Sequence, residues 1–482
     1  MPRSSTMMCL VVITVSAVHA QHFSTLVNFT GETGEQPTAS LVQGTDGKLY
    51  GTTDQGGSHN SGTLFGITPA GAPTTIYNFC SKAGCPDGLN PIAGLVLAAN
   101  EESYGITANG GAHYDGAVFM VTPKGNVATI ASFDDTDGSQ PTATLTQGID
   151  GNFYGTTSGG GKYNSGSVFQ MTPSGVFTTL YSFCSRSGCP DGSSPQASLT
   201  LATDGNFYGT TLNGGSAISN AGTVFKITPK GVLTTIYNFC SQSPCNDGES
   251  PWGNLVQHPN GNFYGTTYNG GIVGSSGVYA GTVFEITSTG HLTTLYSFCS
   301  QPECADGSNP RAGLTLGSDG NLYGVTEYDG YPNCCGTIFK ITPTGSTLTT
   351  LHTFNGSDGS LPEGGLVQAT SGVLYGTTGA GGTGVGCPNP DGCGTLFSLS
   401  VGLHPFVETV PVAGTIGQQL LILGDGLSSA TSVTFNGAAA EFTLVSSSEI
   451  TTTVPAGATT GTIEVVTPSR TLSSIVAFRV LP

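Results

Sequence analysis

Basic side chains are scarce in this sequence. Twelve Lys and Arg among 482 residues face 30 Asp and Glu, a formal net charge of −18. Nucleic acids and anionic membrane surfaces are held by clustered Lys and Arg, so the charge balance excludes both as partners. Long apolar runs are missing too: none reaches the roughly 18 residues of a membrane helix, and no transmembrane segment is expected. The eight histidines do not recur at equivalent positions, and neither a nucleophile motif nor a metal-binding His pair is present. Without such a constellation the chain is not expected to be an enzyme.

Glycine, by contrast, is abundant, at 74 residues with no collagen period. That excess fits a chain of many short strands and tight turns. At the N-terminus Arg3, the apolar stretch Met7 to Val18 and the small-residue site Val18-His19-Ala20 read as a signal peptide over residues 1–20. The mature chain is expected to start at Gln21, to be secreted, and to be extracellular or on the cell surface.

A Tyr-Gly-x-Thr signature recurs at Tyr50, Tyr104, Tyr154, Tyr208, Tyr264, Tyr323 and Tyr375. Units of this length, rich in Thr, Val, Ile, Phe and Tyr, predict the four-stranded blades of a propeller. In the fourth unit the expected strands are Ala197 to Leu201, Asn206 to Thr211, Gly222 to Thr228 and Leu233 to Phe239. The last unit stops after its third strand, Gly394 to Leu399. The missing fourth strand is matched by Phe23 to Phe29 at the opposite end. The expected fold is therefore all-β: a seven-bladed propeller over residues 21–402, closed by the N-terminal strand, which leaves no open repeat. Short alternating strands over 403–482 predict a small immunoglobulin-like sandwich.

Tyr-Gly-Thr-Thr, then Gly-Gly, then Gly-Thr-Val-Phe-x-Ile-Thr-Pro-x-Gly resembles the GloVer tandem repeat of bacterial secreted proteins, over about residues 23–400. The resemblance implies a propeller and no particular activity. Relatives of that type often carry a C-terminal sorting anchor, and none is read in the residues up to Pro482. Leu-Ile-Leu-Gly-Asp-Gly-Leu, Val-Thr-Phe-Asn-Gly and Val-Pro-Ala-Gly-Ala-Thr-Thr-Gly resemble the IPT/TIG immunoglobulin-like family, which implies a spacer or interaction module.

Cysteines track loop length. Cys80 and Cys85, Cys184 and Cys189, Cys240 and Cys245, and Cys299 and Cys304 share one spacing. Each pair lies between the fourth strand of one unit and the first of the next, in connectors four residues longer than their cysteine-free counterparts. Cysteines arriving together with the insertion predict local disulfides, which a secreted chain permits. Cys334, Cys335, Cys387 and Cys393 lie in loops of the last two units. Three pairings are open, and one that joins the two units would strengthen the ring.

The Asp-Gly and Pro-x-Gly turns are short, so the long loops gather on the other face, the candidate binding surface. Two sets of residues stand out there. Asp87, Asp137, Asp191, Asp247, Asp306 and Asp358 each precede Gly in a connector, with Thr33 in the seventh place. They would either form a carboxylate ring for Ca²⁺ or cap their own turns. No other cofactor is expected. The second set follows the connector proline: Thr38, Ile92, Thr142, Gln196, Trp252, Arg311 and Glu363. Alternation puts these on the same side as the small residues Ser40, Gly94, Thr144, Ser198, Asn254, Gly313 and Gly365. Gln196, Trp252, Arg311 and Glu363 are the candidate ligand-binding residues. The alternative is a salt bridge and a packing residue with no ligand. The expected function is a monomeric, non-enzymatic scaffold that recognises a glycan or a cell-surface protein. The rival is a carbohydrate-active lyase or hydrolase at the axial mouth.

Overall fold

The structure is a computed structural model that describes residues 21–215, 220–241, 244–272, 279–329, 335–345, 347–384, 387 and 391–482. The expected signal peptide lies outside the described residues, as do Cys334 and parts of the longest loops. The described chain is almost entirely β, broken by two short 3-10 turns at Pro302–Cys304 and Leu427–Ser429.

Each repeat forms a four-stranded antiparallel sheet with its strands in chain order. In the fourth repeat these strands are Thr200–Leu201, Phe207–Thr211, Thr223–Ile227 and Leu233–Asn238. Seven sheets of this kind lie among the described residues of the repeat region. In the last of them the fourth place is taken by the N-terminal strand, His22–Asn28, which runs antiparallel to Thr395–Ser400.

The first strand is shorter than Ala197 to Leu201 suggests. Its carbonyls are engaged from the neighbouring repeat instead of in a ladder. Thr156 Oγ1 donates to the Ala197 carbonyl at 3.0 Å, and Thr146 Oγ1 to that of Leu199 at 2.6 Å.

One set of contacts joins successive repeats. The Phe that ends each fourth strand meets a third-strand Phe of the next repeat edge-on, as in Phe79–Phe119 and Phe239–Phe284, with centroids 4.9 and 5.2 Å apart. The residue before each connector proline is left-handed, with φ between 52° and 56°. Its N–H donates back to the preceding repeat, as from Ser250 to the Ala221 carbonyl at 2.7 Å. The proline then packs on the glycine that opens the third strand of that preceding repeat. A Cβ on Gly222 would lie 2.7 Å from Pro251 Cδ, and φ there is +94°. Close approach and positive φ together require glycine in the Gly-Thr-x-Phe motif. The same contacts recur between the last repeat, with its N-terminal strand, and the first: Phe29 meets Phe65 at 5.1 Å, and Gln36 N–H donates to the Cys393 carbonyl at 3.0 Å.

The C-terminal segment folds into two four-stranded sheets and a parallel pair, Ala413–Thr415 with Arg479–Leu481. Its core includes Ile422, Phe435, Ile450, Ile463 and Phe478. This unit docks on the face of the Asp-Gly turns. Ser448 Oγ donates to the Thr45 carbonyl at 2.7 Å, and Leu97 packs with Val410, Leu421 and Leu423.

Candidate functional site

All seven residues that follow the connector prolines line one cavity of about 450 Å³, together with the seven small residues two positions on. A first strand of only two ladder residues leaves its N-terminal end free to turn side chains inward. The floor is tightly packed: a Cβ on Gly94 would lie 2.9 Å from both the Ser40 carbonyl and Thr144 Oγ1. Small side chains are therefore a steric requirement, and the variable residues stand above them.

Three of these variable residues form a cluster. Arg311 Nη1 lies 2.8 Å from Glu363 Oε2. The Arg311 guanidinium also sits over Trp252, 4.5 Å from the ring centroid, and Tyr268 backs the indole at 5.8 Å. A cation held between a carboxylate and an aromatic face is positioned in two directions at once. Burial pushes the Glu363 carboxyl above its usual range; Arg311 opposes this, while Glu327 and Asp54 add to it. Gln196 stands apart on the same wall, where its Oε1 accepts from Thr142 Oγ1 at 2.8 Å. Asp54 and Asp391 also line the cavity, and neither was singled out from the sequence. Burial raises the Asp54 pKa as well. Asp54 directly follows a Tyr-Gly-x-Thr signature, a position that varies between repeats, and only the fold carries it to the mouth.

The connector aspartates do not assemble. Asp87, Asp191, Asp247 and Asp306 each accept a hydrogen bond from the tyrosine ten residues earlier, at 2.8, 2.7, 2.8 and 2.8 Å. Asp87, Asp191 and Asp306 also take the backbone N–H of a connector serine, and Asp247 that of Cys240. Burial and the neighbouring carboxylate push Tyr181 and Tyr296 up to about 12. Asp358 instead meets His352 Nε2 at 3.0 Å. Burial, with the charge of Asp134 adding to it, raises the Asp137 pKa. Asp87, Asp191, Asp247, Asp306 and Asp358 are thus engaged by their own connectors, as turn-capping carboxylates would be. Among the described residues the one group with three ligand atoms close together is Cys240, Cys245 and Glu249. The first two of those are joined in a disulfide.

The three short connectors are capped differently, by the residue after the closing Phe. Asp134 Oδ1 accepts from the N–H of Thr136 and Asp137, Asn355 Oδ1 from Ser357 and Asp358, and Thr30 Oγ1 from Thr33. An Asp, Asn or Thr at that place was the available signal.

The four long connectors carry the expected disulfides, Cys80–Cys85, Cys184–Cys189, Cys240–Cys245 and Cys299–Cys304. Cys387 pairs with Cys393 inside one loop of the last repeat. That chooses among the open pairings: both cysteines are used locally, six residues apart. Cys335 is also disulfide-bonded.

These sheets and turns define an all-β, propeller-like tandem-repeat protein with a C-terminal appended domain. The chain belongs to the Gloeobacter/Verrucomicrobia repeat family, whose model matches residues 11–202, 81–279, 188–387 and 242–440, and residues 406–480 match the IPT/TIG domain. Among curated proteins, none matches the chain in sequence. Its fold is similar to that of a fungal alcohol oxidase of the AA5 family in complex with copper, at 12% identity and a TM-score of 0.50, over 96% of this chain and 99% of that one. It is also similar to the extracellular domain of a hybrid two-component system from B. thetaiotaomicron, at 11% identity and a TM-score of 0.50, over 84% of this chain and 46% of that one. At these identities the likeness is one of fold alone. No helix among the described residues is long and apolar enough to cross a membrane.

Proposed function

We propose that the seven sheets are the blades of one closed propeller, and that the chain is a secreted, non-enzymatic binding protein with its site at the axial mouth. Closure is supported by the identity of the contacts at every junction. Gly394 meets Pro37 as Gly222 meets Pro251, and Thr377 Oγ1 donates to the Ala39 carbonyl at 3.2 Å as Thr156 does to Ala197. The disulfides and the signal-peptide pattern support an oxidising, extracellular setting.

The observation that carries the binding assignment is the Trp252–Arg311–Glu363 cluster, facing a cavity to which every repeat contributes. An aromatic face beside paired polar groups, in a cavity of this size, suits a sugar ring. Asp54, Glu363 and Asp391 outnumber Arg311, so an uncharged glycan fits better than an acidic one. A glycan array is the direct test. Binding of neutral glycans by the native chain, lost in Trp252→Ala at unchanged melting temperature, is the expected result. Binding that survives the substitution would move the site elsewhere.

One observation favours the rival enzyme: Glu363 and Asp54 share the cavity, and both are pushed toward the protonated form by burial. A raised carboxyl beside a second one is what acid–base cleavage of a glycosidic bond needs. Turnover of a bound glycan that disappears in Glu363→Gln would establish that reading over the scaffold.

A further inference from the structure

A second cavity, of about 440 Å³, lies where the C-terminal domain meets the repeats. Its walls are Leu199, Leu201, Leu255 and Val256 from the repeats and Val412 and Val476 from the C-terminal domain. The two valines are 42% and 49% exposed, unusual for side chains at a domain seam. Two titratable residues line it, His258 and Arg479. His258 Nδ1 accepts the Asn260 N–H at 3.1 Å, which leaves Nε2 to donate to the Gly320 carbonyl at 3.3 Å. Arg479 supplies the permanent charge there.

Among the described residues Arg479 has no ion-pair partner, and its Nη1 is buried without a hydrogen-bond partner. Arg311 and Arg470 do pair, with Glu363 and Asp425. The guanidinium lies on the Asp204-Gly205 turn, where a Cβ on Gly205 would be 2.9 Å from Nη1. The Asp204 carboxylate is already taken by Lys226 Nζ at 2.8 Å and Tyr208 Oη at 3.0 Å. A buried donor left without an acceptor is destabilising, the more so when it is charged. A carboxylate in the cavity would meet the part of the guanidinium that lines it, and an attached apolar chain would cover the exposed valines.

We propose that this junction binds a single-tailed fatty acid, its carboxylate on Arg479 and its chain along Leu199, Leu201, Leu255 and Val256. One cation matches one negative charge, and the planar guanidinium matches a carboxylate in shape. The chain contacts both domains, so the ligand would also brace the C-terminal unit against the repeats.

Titration calorimetry on the full mature chain tests this with three probes: decanoate, decanol as tail without charge, and butyrate as charge without tail. Decanoate is expected to bind at least about tenfold more tightly than either partial ligand, since head and tail each contribute. Arg479→Met should weaken decanoate about tenfold or more and leave decanol unchanged. Val476→Trp, at an exposed position, should fill the cavity and weaken decanoate even if Arg479→Met fails to fold. The proposal is overturned if decanoate shows no binding up to about 1 mM, the weak limit of a specific site. Equal affinity of decanoate and decanol would overturn it as well, as would undiminished binding in Val476→Trp.

Discussion

Pro37 and Gly394, separated by most of the repeat region, are packed so closely that a Cβ on the glycine would lie 2.8 Å from the proline Cδ. Pro251 and Gly222, in adjacent repeats, make the same contact at 2.7 Å. If the first and last repeats are joined as the inner ones are, Gly394→Ala should cost as much stability as Gly222→Ala. Each combines a side-chain clash with a φ above +90°, for about 1–3 kcal/mol. Urea denaturation of both variants measures this, and a neutral Gly394→Ala would contradict the closed arrangement.

The connector disulfides offer a second test. Each spans five residues, and the chain-entropy contribution of so short a loop is about 2 kcal/mol. Replacing Cys184 and Cys189 by serine should lower the unfolding free energy by about that amount. The same change at Cys299 and Cys304, two junctions away, should add to it independently. Denaturation of the two double variants and their combination checks both statements.

His352 predicts a pH effect. It occupies the strand position where Tyr77, Tyr181, Tyr237 and Tyr296 stand in other repeats, and its ring stacks on Phe23 of the N-terminal strand at 3.6 Å. Burial pushes the imidazole pKa down, against the pull of Asp358. The folded state then binds the proton less readily than the unfolded chain. The stabilisation is present above the unfolded value of about 6.5 and is lost as pH falls below it. His352→Tyr should remove this part of the slope between about pH 7 and 5. An unchanged slope in melting temperature against pH would refute the assignment.

Arg311→Met should expose the electrostatics of the mouth. It leaves Glu363, whose side chain is 17% exposed, facing Glu327 and Asp54 without a cation. Stability at neutral pH should fall by about 1–3 kcal/mol, less than for a fully buried pair because Arg311 is partly exposed. A carboxyl whose folded pKa is raised loses stability as pH rises, so the deficit should shrink on acidification. Urea denaturation at about pH 7 and pH 4.5 gives the two values.

Much of this was legible in the chain itself. Periodic Tyr-Gly-x-Thr signatures and the Phe23 to Phe29 match located the strands, because strand propensity and turn chemistry are local. The residues after the connector prolines could be assigned to one side because side chains alternate along a strand. Paired cysteines five apart could be read as staples because the loop between them is short. The remainder depends on neighbours distant in sequence. Whether Asp87 or Asp191 turns to an ion or to its own connector is decided by a tyrosine hydroxyl that the sheet register brings within 2.8 Å. The mouth gains Asp54, and Trp252 gains Arg311, only when strands from different repeats converge. Nothing local told which face the C-terminal domain would cover, since that rests on apolar matching between Leu97 and Val410, Leu421 and Leu423. Sequence determined the repeating unit, its turns and its staples through short-range chemistry. Tertiary structure alone decided which side chains share a cavity, and that Arg479 lines one without an ion pair among the described residues.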